Sequence, residues 1–405
     1  MKKIVLSTIA ALTMGSVALS AGDVTLYSDA NGQVFTTAGE GRTELASKKT
    51  PVFAKADKLK FSGLTYLGYT YNDHKAGTTS TATAYKADES NFEIRRSYFQ
   101  LKAYLLDDPK SYFRVTLDMH QNAEDDLVVR AKYAYLYLNN ILPATGVEVG
   151  LVHRPWHDYE EHNAWYYRNI SKVLVEAKNG GNLSNSADFG FNFKTKTQYF
   201  DSEFGIFNGE GYHSDFNDDE ATEDAGTAMS FEWRTTAHLL GVNGKDKQTE
   251  KTYFDASFFG QYNPEHKASA SGVAGDYDDL VFYGLHTVYN QPEFLISAQY
   301  IASEDTADNS TYVSAQAGSG YSVNGEYRFG EEYDYRAIAR YDSWTDDQLA
   351  GTSEKENVAY IVGGVWEQNR NVQWVGNVIV TENEDGSARE NENGVQYMIT
   401  AEVKF

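Results

Sequence analysis

The stretch HRPWHDYEEHNAWYYR, residues 153–168, places three of the chain's nine histidines among three acids. Imidazole nitrogens and carboxylates bind divalent metals and transfer protons, so this composition suits a metal site or an acid–base centre. The spacing matches no His-Glu-x-x-His pattern. His153 and His157 are four apart, but Pro155 and Trp156 lie between them at an apparent strand end, which argues against a helix that would put both on one face. We therefore expect no metal site and no cofactor.

A catalytic interpretation uses the same stretch. His157 beside Asp158, with Ser171 downstream, contains an acid, a base and a nucleophile. No motif in the sequence fixes the geometry that such a triad requires. We expect that the chain is not an enzyme, and a barrel enzyme remains the weakest alternative.

The composition indicates how these residues are positioned. The chain has 14% aromatic residues and no cysteine, and its mean hydropathy is -0.53. A closed membrane barrel reconciles many aromatic residues with low hydropathy, because each strand shows only alternate residues to lipid. A net charge of -23 excludes nucleic acid as a partner, since phosphates would be repelled.

Alternation of apolar and polar residues recurs along the chain. In the final stretch, GVQYMITAEVKF, Tyr397, Ile399 and Val403 point one way and Gln396 and Glu402 the other. Ending on Phe405 resembles the terminal strand signal of Gram-negative outer-membrane proteins. The sequence predicts an all-β fold: a transmembrane antiparallel β-barrel of about sixteen strands. The stretches begin near residues 59, 91, 111, 126, 146, 188, 203, 229, 252, 279, 293, 320, 333, 357, 371 and 394.

The first residues, MKKIVLSTIAALTMGSVALSAGDV, read as a secretory signal: two lysines, a short apolar run and small residues before the exit. We expect a signal peptide over 1–21, an irregular periplasmic leader over 22–55 and the barrel over 56–405. Short links suit the periplasmic side and long polar links the outside. The expected location is the outer membrane of a Gram-negative bacterium, in contact with its lipid and lipopolysaccharide.

Alternate residues of a strand share one face, and we call each of the two alternating sets a phase. The charged residues of the strands fall on the phase opposite the apolar one. A charge that faces lipid at the bilayer midplane costs roughly 2–4 kcal/mol, so this phase should face the lumen. Cations expected to line the lumen are Arg96, Lys102, Arg114, Lys194, Arg234, Arg328, Arg336 and Arg340. Acids on the same phase are Asp118, Glu232, Glu326 and Asp342. We interpret Tyr133, Tyr135 and Tyr137 as outward-facing residues of an interfacial girdle or a subunit contact.

Several stretches resemble the phosphate-selective porin O and P family, in family order over nearly the whole chain after the signal. They include GQVFTTAGEGR near the start, GLVHRPW at 150–156, EFGIFNGEG at 203–211, PEFLISAQY at 292–300 and VGGVWEQNRNVQWVGNVIV at 362–380. The resemblance implies a sixteen-stranded barrel, a homotrimer and passive diffusion of small anions. His153 stands at the family's usual lysine, and Trp156 at its usual phenylalanine.

The resemblance also implies that the link after the fifth barrel strand, from about Pro155 to Asn185, folds into the lumen. The histidine-rich stretch then becomes the charged lip of a constriction. Its expected constriction residues are His153, Arg154, His157, Asp158, Glu160, Glu161 and Arg168.

The function predicted from these observations is an outer-membrane porin for small hydrophilic solutes and ions, with a preference for anions and with phosphate as a candidate solute. Opposed rows of charge would set a transverse field across the narrowest section. A surface adhesin or structural barrel with a blocked lumen is the competing class.

Overall fold

The computed structural model describes residues 27–29, 33–44, 58–74, 88–104, 106, 108–121, 126–209, 211–212, 229–241, 248–268, 277–304, 317–346, 354–384, 387 and 392–405. The expected signal peptide, 1–21, lies outside these ranges. The chain divides into two units, 1–57 and 58–405.

The first unit contains a small antiparallel sheet where the sequence predicted an irregular segment. Its strands are β1 (Tyr27–Ser28), β2 (Val34–Phe35) and β3 (Thr43–Glu44), with β1 in the middle. Two-residue strands are too short to show alternation, which explains why the pattern did not reveal them.

In the described part of the second unit, sixteen antiparallel strands close into a barrel, which confirms the predicted fold class. Each strand pairs with its neighbours in sequence, and the last strand pairs with the first. The strands are β4 (Leu59–His74), β5 (Glu89–Ala103), β6 (Tyr112–Gln121), β7 (Leu127–Leu142), β8 (Thr145–His153), β9 (Ala187–Lys196), β10 (Phe200–Phe207), β11 (Ser230–Leu240), β12 (Tyr253–Ala268), β13 (Tyr277–Gln291), β14 (Phe294–Glu304), β15 (Gly318–Phe329), β16 (Tyr335–Asp346), β17 (Lys355–Asn369), β18 (Val372–Asn383) and β19 (Gly394–Lys404).

The two faces of the barrel differ in chemistry, as β15 illustrates. Tyr321 and Tyr327 are 43% and 58% exposed, whereas Ser322 and Glu326 are 1% and 6% exposed. Successive side chains of a strand point to opposite faces, so the exposed aromatic phase forms the outer surface and the buried polar phase the inner one. The same alternation runs through β14 and β18.

Links at one end of the barrel are mostly short and those at the other end are mostly longer. Links 143–144, 292–293 and 370–371 contain two residues each, whereas 154–186 joins β8 to β9. That long link begins with helix α1 (His157–Asn163). No helix in the described ranges is long and apolar enough to span a membrane.

Candidate functional site

The link 154–186, called the inner loop below, packs against the inner face of the barrel. The Trp156 ring stacks on Phe259 of β12, with ring centroids 3.6 Å apart and planes 2° from parallel. The Tyr159 hydroxyl donates a hydrogen bond to Asp255 of the same strand, at 3.1 Å. Asn169 donates to Thr400 of β19 at 2.8 Å. These strand residues belong to the buried phase, so the loop lies inside the barrel.

An apolar core joins the inner loop to one side of the wall. Val173, Leu174 and Val175 are 0% exposed. Burying an aliphatic side chain of this size contributes roughly 1.5–3 kcal/mol, so three of them hold the loop firmly. Their wall partners come from seven strands: Phe259, Leu280, Phe282, Ile301, Ile338, Trp344, Ile361, Val365, Val375 and Met398. The loop therefore rests on the β12–β19 side of the barrel.

Three of the arginines predicted to line the lumen are buried on the inner face of the barrel, each beside a carboxylate. Arg234 is 2.9 Å from Glu203, Arg340 is 2.8 Å from Asp342, and Arg328 pairs with Glu326. The three arginines are only 2–3% exposed. They lie on the inward phase as expected, but their charges are compensated and covered.

Other predicted cations are paired to different degrees. The side chain of Arg336 is 14% exposed and pairs with Glu367. Lys194 lies 3.1 Å from Glu148. Arg96 is 2.7 Å from Asp118, and its side chain keeps 19% exposure. Arg96 thus combines a partner with access to the lumen.

The histidine-rich stretch is dispersed rather than gathered into one site. His153 ends β8, where its Nδ1 is 2.9 Å from Glu148 and its Nε2 is 3.1 Å from Arg114. His157 begins α1, is 1% exposed and contacts Ser184 at 3.3 Å. Burial lowers the pKa of His157 to about 3, so this ring is neutral near pH 7. The sequence did not predict helix α1.

Neither a metal site nor the catalytic arrangement considered above is formed by these residues. Among the described residues, no group of three His, Asp or Glu side chains is placed to hold a metal. Ser171 donates its hydroxyl hydrogen bond to the backbone of Lys172, at 3.0 Å, rather than to a histidine. The sequence-predicted triad members are therefore not brought together.

The remaining predicted loop residues fall into a buried and a more open group. Arg154 is 2% exposed and lies 3.0 Å from both Asp188 and Glu232. Glu160 is 1% exposed and accepts a hydrogen bond from Gln299 of β14. Burial raises the pKa of Glu160 to about 8.

The more open group contains three charged side chains. Arg168 pairs with Glu161 and with Glu176. The side chain of Asp158 is 34% exposed and lies 3.7 Å from Nε2 of His153. Asp158 is therefore the most open of the three acids in the predicted lip.

Three cations across neighbouring strands form a feature that the sequence only partly indicated. Lys60 of β4 is directly opposite Lys102 of β5, which is opposite Arg114 of β6. Among the described residues, no carboxylate lies within ion-pair distance of any of the three. We call these residues the cation row. Like charges directly opposite each other on a sheet are destabilising, so this row favours an anion beside it.

The prediction that Tyr133, Tyr135 and Tyr137 face outward is wrong. Tyr133 and Tyr135 are 7% and 1% exposed, and the Tyr133 ring lies 4.1 Å from that of His153. A β-bulge at Lys132 is the cause: Thr116 pairs with Tyr133, but the next pair is Leu117 with Ala131. One extra residue reverses the phase of the strand beyond it.

The reversed phase brings three tyrosines together near the short-link end of the wall. The Tyr112 ring lies 5.3 Å from that of Tyr104 and 5.1 Å from that of Tyr137. All three are half-buried on the inner face. We call them the tyrosine row.

Comparison with known proteins identifies the fold. No protein-family model and no curated protein matches the chain. Salmonella typhi OmpF, in a complex with daunomycin, is similar in structure with a TM-score of 0.59 and 11% identity, covering 86% of this chain and 97% of that one. The chain has a porin-like fold.

Two structures of OmpT, an outer membrane protein of Vibrio cholerae, are also similar. A loop L8 deletion mutant has a TM-score of 0.55 and 11% identity, covering 86% of this chain and 99% of that one. An in-vitro folded trimer form has a TM-score of 0.54 and 12% identity, with the same coverage. The closed barrel and its apolar outer phase place the chain in the outer membrane of a Gram-negative bacterium, as predicted.

Proposed function

We propose that this chain is a porin through which small hydrophilic solutes diffuse passively, with a preference for anions and no catalytic turnover. The observation that carries this proposal is the cation row. Three positive charges on adjacent strands, none of them in an ion pair among the described residues, attract anions into the water beside them. Most other charges on the inner face are paired with a partner of opposite sign.

The position of the inner loop supports the same proposal. Its core packs against the β12–β19 side, whereas the cation row belongs to β4, β5 and β6. A permeating anion would pass along this row, and the half-buried Asp158 of the loop lies near the Arg114 end of it. Opposite charges so close to the path produce a local field that favours polar solutes over apolar ones.

Two finer expectations belong to the proposal. The resemblance to phosphate-selective porins makes phosphate a candidate solute. His153 stands where that family usually has lysine, so phosphate permeation tests whether this difference removes the selectivity. A homotrimer is proposed from the same resemblance, and one OmpT structure with a similar fold is a trimer form. Light scattering of the purified protein in detergent measures the oligomer, and a monomeric mass would contradict the trimer.

Conductance of purified protein in a planar lipid bilayer tests the function. We expect discrete ohmic steps and, in a tenfold KCl gradient, a reversal potential of the sign that chloride preference gives. Lys102→Glu should shift that potential toward cation preference. Arg370→Glu, in the exposed turn between β17 and β18, is the matched control and should leave it unchanged.

The competing class, a barrel with a blocked lumen, is favoured by the depth of the loop core. If the purified, folded protein shows no conductance, the porin proposal fails and the blocked barrel replaces it. If Lys102→Glu and Arg370→Glu give the same reversal potential as the parent, the cation row is not on the ion path.

A further inference from the structure

The tyrosine row and the cation row touch each other along the inner wall. Nζ of Lys60 lies 5.0 Å from the Tyr104 ring centroid, and Nζ of Lys102 lies 4.8 Å from that of Tyr112. Each pair combines a positive charge with an aromatic face at cation–π distance. A ligand on this wall would meet an apolar ring surface and a charge together.

The third cation extends the surface toward the inner loop. The Arg114 guanidinium carbon lies 5.7 Å from the Tyr135 ring, and one of its nitrogens donates to the Tyr135 hydroxyl at 3.2 Å. Arg114 also contacts His153, which adjoins Asp158 of the loop. The cation row therefore has rings along its length, and the half-buried Asp158 lies near its Arg114 end.

The spacing of the cation row suits an oxyanion. Directly paired strands lie about 4.8 Å apart, so neighbouring cations can both reach the oxygens of one carboxylate or phosphate. An inorganic anion would use these charges and leave the half-buried tyrosine faces unused. An anion with a planar body would cover the faces as well.

We propose that the two rows form a binding site for organic anions, in particular carboxylates that carry a planar or aromatic body. This inference rests on the proposed porin function and adds a solute class to it. Aromatic stacking and the burial of ring surface supply affinity that a bare anion lacks. The oxyanion sits between Lys102 and Arg114, and the body lies across the rings of Tyr104 and Tyr112.

Benzoate and acetate separate the aromatic contribution from the charge, because both are monocarboxylates. Each is added to one side of a bilayer that contains the reconstituted protein, and the half-blocking concentration is measured. Stacking of about the usual strength predicts that benzoate blocks at roughly tenfold lower concentration than acetate. Phosphate is measured beside them as the inorganic probe.

Variants assign the effect to the two rows. Tyr112→Ser should abolish the advantage of benzoate over acetate. Lys102→Gln should weaken the block by both carboxylates. Tyr327→Ser, on the outer face, is the control and should change neither the advantage of benzoate nor the strength of the block. Heat-modifiable gel mobility verifies that each variant is folded.

Failure of this site is distinguishable from failure of the porin proposal. Equal half-blocking concentrations for benzoate and acetate in the parent, or an unchanged advantage in Tyr112→Ser, would overturn the site while the channel still conducts. Where the protein does not conduct, titration calorimetry in detergent compares the same ligands and variants. Tighter benzoate binding that is lost in Tyr112→Ser supports the site, and its absence refutes it.

Discussion

Raising the pH from 6 to 8 should loosen the inner loop, because docking buries Glu160. This side chain is 1% exposed and faces Gln299 of β14 together with Arg340 and Asp342 of β16. Burial, reinforced by Asp342, outweighs the opposing effects of Arg340 and Gln299 and raises the pKa of Glu160 to about 8, from a usual value of 4.5. The docked loop therefore holds a proton that the released loop loses above pH 4.5.

The sign and magnitude follow from this difference. The docking equilibrium is unaffected by this group below pH 4.5. Its constant then falls about tenfold for each pH unit between 4.5 and 8, where the fall levels off. Between pH 6 and pH 8 the loss is about 2 kcal/mol, which lowers the ratio of docked to released loop roughly thirtyfold.

Single-channel recording measures this change as current fluctuation. We expect fluctuations to become more frequent as the pH rises from 6 to 8 in the parent protein. Glu160→Gln keeps the hydrogen-bonding shape without a titratable proton and should give a flat pH profile. Glu161→Gln, a neighbouring change at a carboxylate paired with Arg168, is the control and should keep the parental slope. The same slope in Glu160→Gln as in the parent would refute the reasoning.

Three further changes test the wall and the loop. Trp156→Ala removes the ring stacked on Phe259 and should cost loop docking about 3–5 kcal/mol, seen as noisier or larger channel currents; quiet parental currents would contradict it. Arg154→Ala leaves two buried carboxylates without their cation and should destabilise the barrel by about 3–5 kcal/mol, measured by urea unfolding, whereas an unchanged midpoint would show that the pair is not needed. Deleting Lys132 removes the bulge, so Tyr137→Cys in that variant should react with a lipid-soluble maleimide instead of a water-soluble one. The chain has no cysteine of its own to interfere, and unchanged labelling would show that the bulge does not determine which face Tyr137 occupies.

The strands were predictable because membrane barrels require alternation. All sixteen stretches identified from the sequence contain or overlap a strand of the barrel. In β15, for example, the polar phase that includes Glu326 and Arg328 is buried and the aromatic phase is exposed. The loop after the fifth barrel strand also lies at its expected place in the chain.

The inner surface was harder to predict, because its details depend on contacts between distant residues. The alternation pattern alone predicts that Arg340 and Arg234 face the lumen as free charges. In the structure, Arg340 pairs with Asp342 and Arg234 with Glu203, and the alternation pattern does not show this pairing. The apolar core under the inner loop did leave a signal. Ile361 and Val365 of β17 make the inward phase apolar as well as the outward one, which indicates a strand covered on both sides.

A signal for the bulge in β7 was also present. Arg130 and Lys132 mark the inward phase at the start of the strand, yet the same phase continues as Ala134, Leu136 and Leu138. A phase that carries charge and then becomes fully apolar indicates an inserted residue. A prediction that continues strict alternation across this position places the tyrosines on the wrong face.

The bulge at Lys132 has a consequence for how such a wall can diversify. A single inserted codon in the middle of a strand turns the outward-facing side chains beyond it inward and the inward-facing ones outward. Residues selected for contact with lipid then line the solute path, although none of them has been substituted. Length changes inside strands would then be a route to new permeation properties, alongside the substitutions and loop insertions in which such changes are usually sought.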